Sequence, residues 1–136
     1  LDRFTDPQKY VWAIQWYYSE VENGGHDQFF YNDTGIVWEL ALEGLRVIGC
    51  STFASILEEA VQRIGGYPSK DREARWHEMS MHNADFSDLD MKFYDREHEL
   101  EQYLRDYVRR NREYLIFDGI VHFPEDYAPD EYEFDE

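Results

Sequence analysis

The sequence predicts an all-α protein: a single compact domain of about five to six helices with an acidic C-terminal tail. Apolar residues recur mostly at the i, i+3, i+4, i+7 spacing that gives a helix one buried face. Gly, Asn and Asp, which favour helix ends and turns, separate these apolar runs. Strand signals are weak, and the best is a short hairpin-like pattern around Asp118 and Gly119. The 136 residues fit one ordinary domain, so we assign residues 1–124 to the helical domain and residues 125–136 to the tail.

The first helix is predicted over residues 8–22. Asp6 before Pro7 is typical of an N-cap followed by proline at the first helical position. The Asn-Gly-Gly sequence at residues 23–25 predicts the end of this helix, because these residues tolerate the left-handed conformation. A short aromatic segment follows over residues 27–31. The buried face of the first helix is predicted to hold Val11, Ile14, Tyr18 and Val21.

The second helix is predicted over residues 36–48, and a third begins at Ser51 or Thr52, either of which can act as its cap. The third helix is expected to end at Gly65. Residues 66–86 contain Gly, Pro, Ser and several charges, so they predict an irregular segment and the longest loop. The apolar residues of the third helix fit the helical spacing at every step: Phe53, Ile56, Leu57, Ala60, Val61 and Ile64.

The last helical region is predicted as a short helix capped by Ser87 or Asp88 and then a long helix that runs to about residue 115. A projection at about 100° per residue separates the two faces of the long helix. Its core face holds Leu100, Leu104, Tyr107, Val108 and Leu115. Its opposite face holds the acids Asp95, Glu99, Asp106 and Glu113.

The chain is strongly acidic, with a formal net charge of −17. Residues 125–136 contribute −7 of this charge and carry three aromatic residues, so they are either a solvating end or a segment that docks on a basic surface or on its own domain. The remaining −10 should repel nucleic acid and anionic lipid at long range. The charge therefore excludes direct nucleic-acid and membrane partners and favours a basic partner.

A partner-binding surface would need acids from several helices. The long helix offers four carboxylates over about 27 Å, whereas a DNA strand presents roughly eight phosphates over that length. We therefore predict an acidic surface that combines residues from different elements: Glu20, Glu22, Glu58, Glu59, Asp85, Asp88, Asp90, Asp95, Glu99, Asp106 and Glu113.

No catalytic, metal or cofactor motif is recognisable. His77 and His82 lie five residues apart, whereas the zinc-protease motif needs four. The single cysteine, Cys50, cannot form an intramolecular disulfide and follows an apolar helix, so it is predicted to be a packed core residue. No apolar run is long enough to cross a membrane, and we expect a cytoplasmic protein.

The most distinctive stretch, residues 20–32, reads E-V-E-N-G-G-H-D-Q-F-F-Y-N. It resembles a bacterial domain-of-unknown-function family that includes a DNA-mimic protein and has the pattern E-V-x-N-G-G-F-x-Q-(F/Y)-F-x-N. The similarity covers roughly residues 8–115 and extends to Gly35, to the Ile48–Gly49 helix end and to the pattern F-x-x-L-D-x-x-F-Y from Phe86. One departure is His26, where Phe is usual.

The resemblance implies a helical fold and a partner that binds DNA, such as a helix-turn-helix regulator, held through surface carboxylates. The motif itself is expected to be mainly structural: Asn23, Gly24, Gly25, Gln28, Phe29, Phe30 and Asn32.

The leading hypothesis is a non-enzymatic acidic protein that mimics DNA and binds a basic DNA-binding protein. The alternative is a small-molecule or peptide binding domain, or an unassigned enzyme, built on the aromatic region at residues 23–32. A deep pocket lined by Asn23, Gln28 and Asn32 would favour this alternative, and a filled core would oppose it. A third interpretation is that the acidity serves solubility only. A homodimer is a candidate assembly.

Overall fold

The computed structural model describes residues 5–112, and within them the chain is all-α, as predicted. The described region forms six α-helices and one 3-10 helix, Asp33–Val37. The α-helices are α1 (Asp6–Tyr31), α2 (Trp38–Val47), α3 (Ser51–Gln62), α4 (Arg72–Met81), α5 (Ser87–Asp95) and α6 (Glu97–Arg110). Glu113, Leu115, the hairpin-like segment and the acidic tail lie outside the described residues.

The N-terminus of α1 is capped by Thr5 rather than by Asp6. The Thr5 hydroxyl accepts from the backbone N–H of Gln8 at 3.3 Å, and the Gln8 side chain accepts from the Thr5 N–H at 2.8 Å. This reciprocal pair is a capping box, which satisfies two otherwise unpaired N–H groups. Pro7 lies in the first turn, one position later than predicted, because the helix begins at Asp6.

A kink at Gly24 and Gly25 divides α1 into two arms. Gly25 has φ 77° and ψ 179°, a backbone region that only glycine adopts readily. The glycines therefore interrupt the helix as expected, but they do not end it. Helical structure resumes at once, and the predicted aromatic segment at residues 27–31 is the second arm.

Two predicted caps are wrong. Cys50 and Phe86 occupy the N-cap positions of α3 and α5, and neither makes a side-chain capping bond. α3 and α5 therefore begin at Ser51 and Ser87, residues that were predicted to stand outside them as caps. At α5 the carboxylate of Asp85, one residue further out, accepts from the backbone N–H of Ser87 at 3.0 Å.

The predicted loop at residues 66–86 contains a helix, α4. Asp71 caps it by accepting from the N–H of Ala74 at 2.9 Å. The sequence does not indicate this helix because it has no apolar stripe, and Arg75 is its one buried residue. Polar bonds of this arginine, described below, replace the usual hydrophobic anchor.

The predicted short helix and long helix are α5 and α6, and the boundary between them lies at Arg96. The backbone at Arg96 leaves helical geometry, with φ −123° and ψ 16°, and separates α5 from α6. Asp95 therefore belongs to α5, and the predicted single stripe of four acids is not formed. The predicted core face of α6 is confirmed by the burial of Leu100, Leu104 and Tyr107.

The core is built around α1, which contacts α2, α4, α5 and α6. Its inward residues are fully buried, and so are the aromatic rings that they meet on α3 and α5. Cys50 is also buried, as predicted. Within residues 5–112 no helix has the length and apolar character needed to span a membrane. The central residues are Val11, Ile14, Tyr17, Val21, Phe29, Phe30, Phe53 and Phe93.

Candidate protein-binding surface

The aromatic motif is part of the packed core. Phe29 and Phe30 are 0% exposed, and their rings meet edge to face with centroids 5.0 Å apart. The amides of Gln28 and Asn32 both donate to Glu20 Oε1, at 2.8 and 3.1 Å. Core side chains therefore fill the part of the motif around Phe29 and Phe30, which opposes the alternative hypothesis of a pocket there.

Glu20 is accordingly a structural residue. Glu20 lies on the first arm of α1. Of its two amide partners, Gln28 lies on the second arm and Asn32 is the C-cap of the helix. The carboxylate thus bridges the kink. This position does not match the predicted role of Glu20 as a free surface acid.

A second internal bridge holds the kink against α5. The Asp90 Oδ1 atom accepts from the backbone N–H of His26 at 2.9 Å and lies 2.6 Å from His26 Nδ1. On the other side of the ring, His26 Nε2 lies 2.7 Å from the hydroxyl of Tyr17. The His26 side chain is 0% exposed. Asp90, predicted as a surface acid, is therefore also bound inside the fold.

Arg75 on α4 fastens the C-terminal end of α1. Its guanidinium donates to the carbonyl oxygens of Phe30 and Asn32, both at 2.6 Å, and to that of Ser69 at 3.0 Å. The side chain is fully buried, and this burial, followed by repulsion from Arg72, lowers the pKa of its guanidinium. It satisfies carbonyl groups that the end of a helix leaves unpaired.

Most of the predicted surface acids on α3 and α5 are neutralised by arginines. Arg63 binds Asp88 through two bonds of 2.6 and 3.0 Å, which lowers the pKa of Asp88 to about 2, and it also binds Glu59 at 3.0 Å. Glu58 pairs with Arg46 at 3.2 Å. Asp85 bonds Ser87, and these bonds lower the pKa of its carboxyl.

The acids predicted on the long helix also include some that pair with an arginine and some that do not. Glu99 pairs with Arg96 at 3.2 Å, and Asp106 lies 3.9 Å from Arg109. Asp95 is exposed and makes no ion pair within residues 5–112. Of the predicted surface, Asp95 and Glu22 are the described acids held neither by an arginine nor by an internal bond to a base or amide.

A dense group of carboxylates forms where α1 meets α6. We call Glu22, Glu97, Glu101 and the adjoining Tyr18 the α1–α6 acidic cluster. The Tyr18 hydroxyl donates to Glu101 Oε2 at 2.5 Å. Partial burial, a hydrogen bond to Glu97 and repulsion from Glu97 and Glu101 raise the pKa of Glu22 to about 7. No Lys or Arg of the described region forms an ion pair with these three acids.

Sequence reasoning found only Glu22 of this cluster. In the projection of one long helix, Glu97 and Glu101 fall near 200° and 240°, beside the core face rather than opposite it. Both are in fact half-buried against α1. The feature that marks these acids is partial burial beside Tyr18. It depends on the packing of α6 against α1, which the sequence alone does not show. Within residues 5–112 no group of His, Cys, Asp or Glu is arranged to hold a metal ion.

Comparison with protein families gives a match over most of the chain. A family model described as "DMP19-like protein" matches residues 2–111, which include all six α-helices. Comparisons with curated proteins and with solved structures give no match.

Proposed function

Because this chain belongs to the DMP19-like protein family, we propose that it is a DNA-mimic protein that acts by binding. Its partner would be a basic DNA-binding protein, such as a helix-turn-helix regulator, whose DNA-binding surface it occupies. Family membership is the observation that carries this proposal, since a fold alone does not specify a function.

The charge of the folded region supports the proposal. Residues 5–112 contain 20 acids and 12 bases, so the described helices are acidic without any contribution from the tail. A surface of this sign attracts the Lys and Arg residues that normally bind phosphates and steers a basic partner toward it.

The α1–α6 acidic cluster is the best candidate for the centre of the docking surface. Repulsion from Glu97 and Glu101 adds to the effects of burial and of the bond to Glu97 that raise the pKa of Glu22, and no Lys or Arg of the described region forms an ion pair with these acids. A partner's guanidinium placed among them would relieve that repulsion. By contrast, Glu58, Glu59 and Asp88 already have arginine partners, which a docking protein would have to displace.

The proposal can be tested by competition with DNA. A basic DNA-binding protein captured from the host at low salt would be mixed with its labelled duplex, and the chain would be titrated in. We expect displacement of the duplex and a steep loss of affinity between 0.05 and 0.5 M salt, values chosen so that the screening length falls from above about 10 Å to below it. Affinity that does not change with salt would contradict the proposal.

Two matched triple variants would locate the surface. Glu22→Gln, Glu97→Gln and Glu101→Gln remove three acids from the cluster, and Glu58→Gln, Glu59→Gln and Glu73→Gln remove three exposed acids elsewhere. We expect the cluster variant to bind at least about tenfold more weakly than the control, which corresponds to about 1.4 kcal/mol. Equal losses in both variants would mean that overall charge, and not this cluster, determines binding.

A further inference from the structure

A groove between α3 and α5 differs in charge from the rest of the molecule. Its volume is about 600 Å³, and one face of each helix lines it. The lining includes three cations but one acid, in a region whose charge is otherwise negative. The lining residues are Thr52, Ser55, Ile56, Glu59, Arg63, Leu89, Lys92 and Arg96.

The three cations of the groove differ in whether a carboxylate already binds them. Arg63 is held by Glu59 and Asp88, and Arg96 is bonded to Glu99 at 3.2 Å with about half of its side chain exposed. Lys92 is exposed and forms no ion pair with any residue of the described range. Its ammonium group therefore remains available to a carboxylate. The floor between the helices is apolar, formed by Ile56 and Leu89.

We propose that this groove is the docking site of the chain's own acidic–aromatic segment, residues 125–136. The segment carries seven acids and no base, and its three aromatic residues are Tyr127, Tyr132 and Phe134. Tyr132 and Phe134 are each flanked by acids on both sides. An aromatic ring can cover the apolar floor while the flanking carboxylates bind Lys92 and Arg96. The volume of the groove lies in the range of protein pockets that hold such groups.

The connecting chain is long enough for this docking. Arg96, at one end of the groove, directly precedes α6, and α6 extends about 20 Å from Glu97 to Arg110. Residues 113–124 can span up to about 40 Å when extended. Residue 125 can therefore return along α6 and reach the groove. This inference concerns contacts within the chain and does not depend on the identity of any partner.

The test is paramagnetic broadening of backbone amide signals in the full chain. A spin label attached to Ala128→Cys would report which amides the segment approaches, and the buried Cys50 should stay unlabelled, which the labelled parent chain would verify. We expect selective broadening at Ser55, Lys92 and Arg96.

Two single-lysine variants make the test specific. Lys92→Glu should abolish at least half of the broadening, because it replaces the available cation with a repelling charge. Lys70→Glu, at an exposed lysine outside the groove that pairs with Glu39, should leave it unchanged. Uniform weak broadening, or equal effects of both variants, would overturn the proposal.

A mixture of spin-labelled and isotope-labelled chains separates docking within one chain from docking between chains. We expect no broadening in the mixture at low concentration. Broadening of the isotope-labelled chains that increases with concentration would show that a second copy supplies the segment, and it would overturn docking within one chain. Because no partner protein is present, failure here leaves the DNA-competition result unaffected.

Discussion

The His26 ring lies between two side chains from different parts of the chain, 2.6 Å from the carboxylate of Asp90 and 2.7 Å from the hydroxyl of Tyr17. The residue pair His26–Asp90 joins the kink of α1 to α5, and it does so inside the core. The ring thus adds two polar contacts to a core position that is 0% exposed. Because both contacts are made by the same His26 ring, a substitution at any of the three residues should affect both.

His26→Phe should destabilise the protein by about 1–3 kcal/mol, because it leaves the buried Tyr17 hydroxyl without its hydrogen-bond partner. Combining it with Tyr17→Phe should cost less than the sum of the single variants, since the double variant leaves no orphaned group at that bond. Urea unfolding of the four proteins measures this coupling. Strict additivity, within about 0.5 kcal/mol, would argue against the bond between Tyr17 and His26.

Arg75→Met should destabilise the protein by about 3 kcal/mol or more, because at least three buried carbonyl groups lose their donor. Arg72→Met is the matched control on the same helix. The Arg72 guanidinium lies 3.4 Å from Asp33 and donates to the Tyr31 carbonyl oxygen at 2.9 Å, but its site is partly exposed and Trp76 also donates to that oxygen, at 2.7 Å. Its loss should therefore cost about 1 kcal/mol or less. Comparable losses for the two variants, measured by thermal and urea unfolding, would refute the anchoring role of Arg75.

Gly25→Ala should be more destabilising than Gly49→Ala, although both glycines have positive φ angles of 77° and 83°. A methyl group at Gly25 would lie 2.5 Å from a carboxylate oxygen of Asp90, whereas at Gly49 it would meet no atom within 4 Å. Gly49→Ala should cost about 1–2 kcal/mol for the backbone conformation alone. The larger loss at Gly25 should be accompanied by chemical-shift changes at Asp90, and their absence would count against a tight contact.

Glu22 should give the folded protein a pH-dependent stability term. Its pKa is raised from 4.5 to about 7, so between these values the folded protein binds more protons than the unfolded chain. The stability that this group contributes is complete below pH 4.5 and is lost as the pH rises toward and through 7. Because the side chain is substantially exposed, we expect the loss to be no more than about 1 kcal/mol.

Glu22→Gln should remove this pH dependence. The difference in stability between the variant and the parent should therefore shift in favour of the variant when the pH is raised from 5 to 8. Glu73→Gln, at an exposed acid on α4, is the matched control for the loss of one carboxylate. Urea midpoints at the two pH values provide the measurement. If the urea midpoints of the Glu22→Gln variant and the parent change by the same amount between the two pH values, the raised pKa is contradicted.

The helices that bury an apolar face could be predicted from the sequence. The apolar spacing in α3 and the leucines of α6 match the buried positions, because hydrophobic periodicity reports burial directly. The helix α4 could not be predicted in this way, since its anchor is Arg75, a residue type that normally stays at the surface. The same limit applies to α1, where a glycine kink was interpreted as a helix end.

The candidate surface was only partly predictable for a related reason. Composition gives the number of acids but not their partners, and Arg63 alone neutralises two of the predicted acids from different helices. Glu20 and Asp90 were expected at the surface, yet both form internal bonds that a sequence pattern cannot distinguish from exposure. Glu97 and Glu101 gain their significance from the pairing of α1 with α6, which is a long-range contact.

The Arg75 guanidinium has a consequence for local unfolding. It ties the last turn of α1 to Ser69 and Lys70 through one side chain, so these segments cannot separate without breaking several bonds together. Amides in the second arm of α1 and in α4 should therefore exchange with solvent hydrogen at a common rate, as one cooperative opening unit. The residues that follow the kink would then open and close as a block, separately from the first arm of α1.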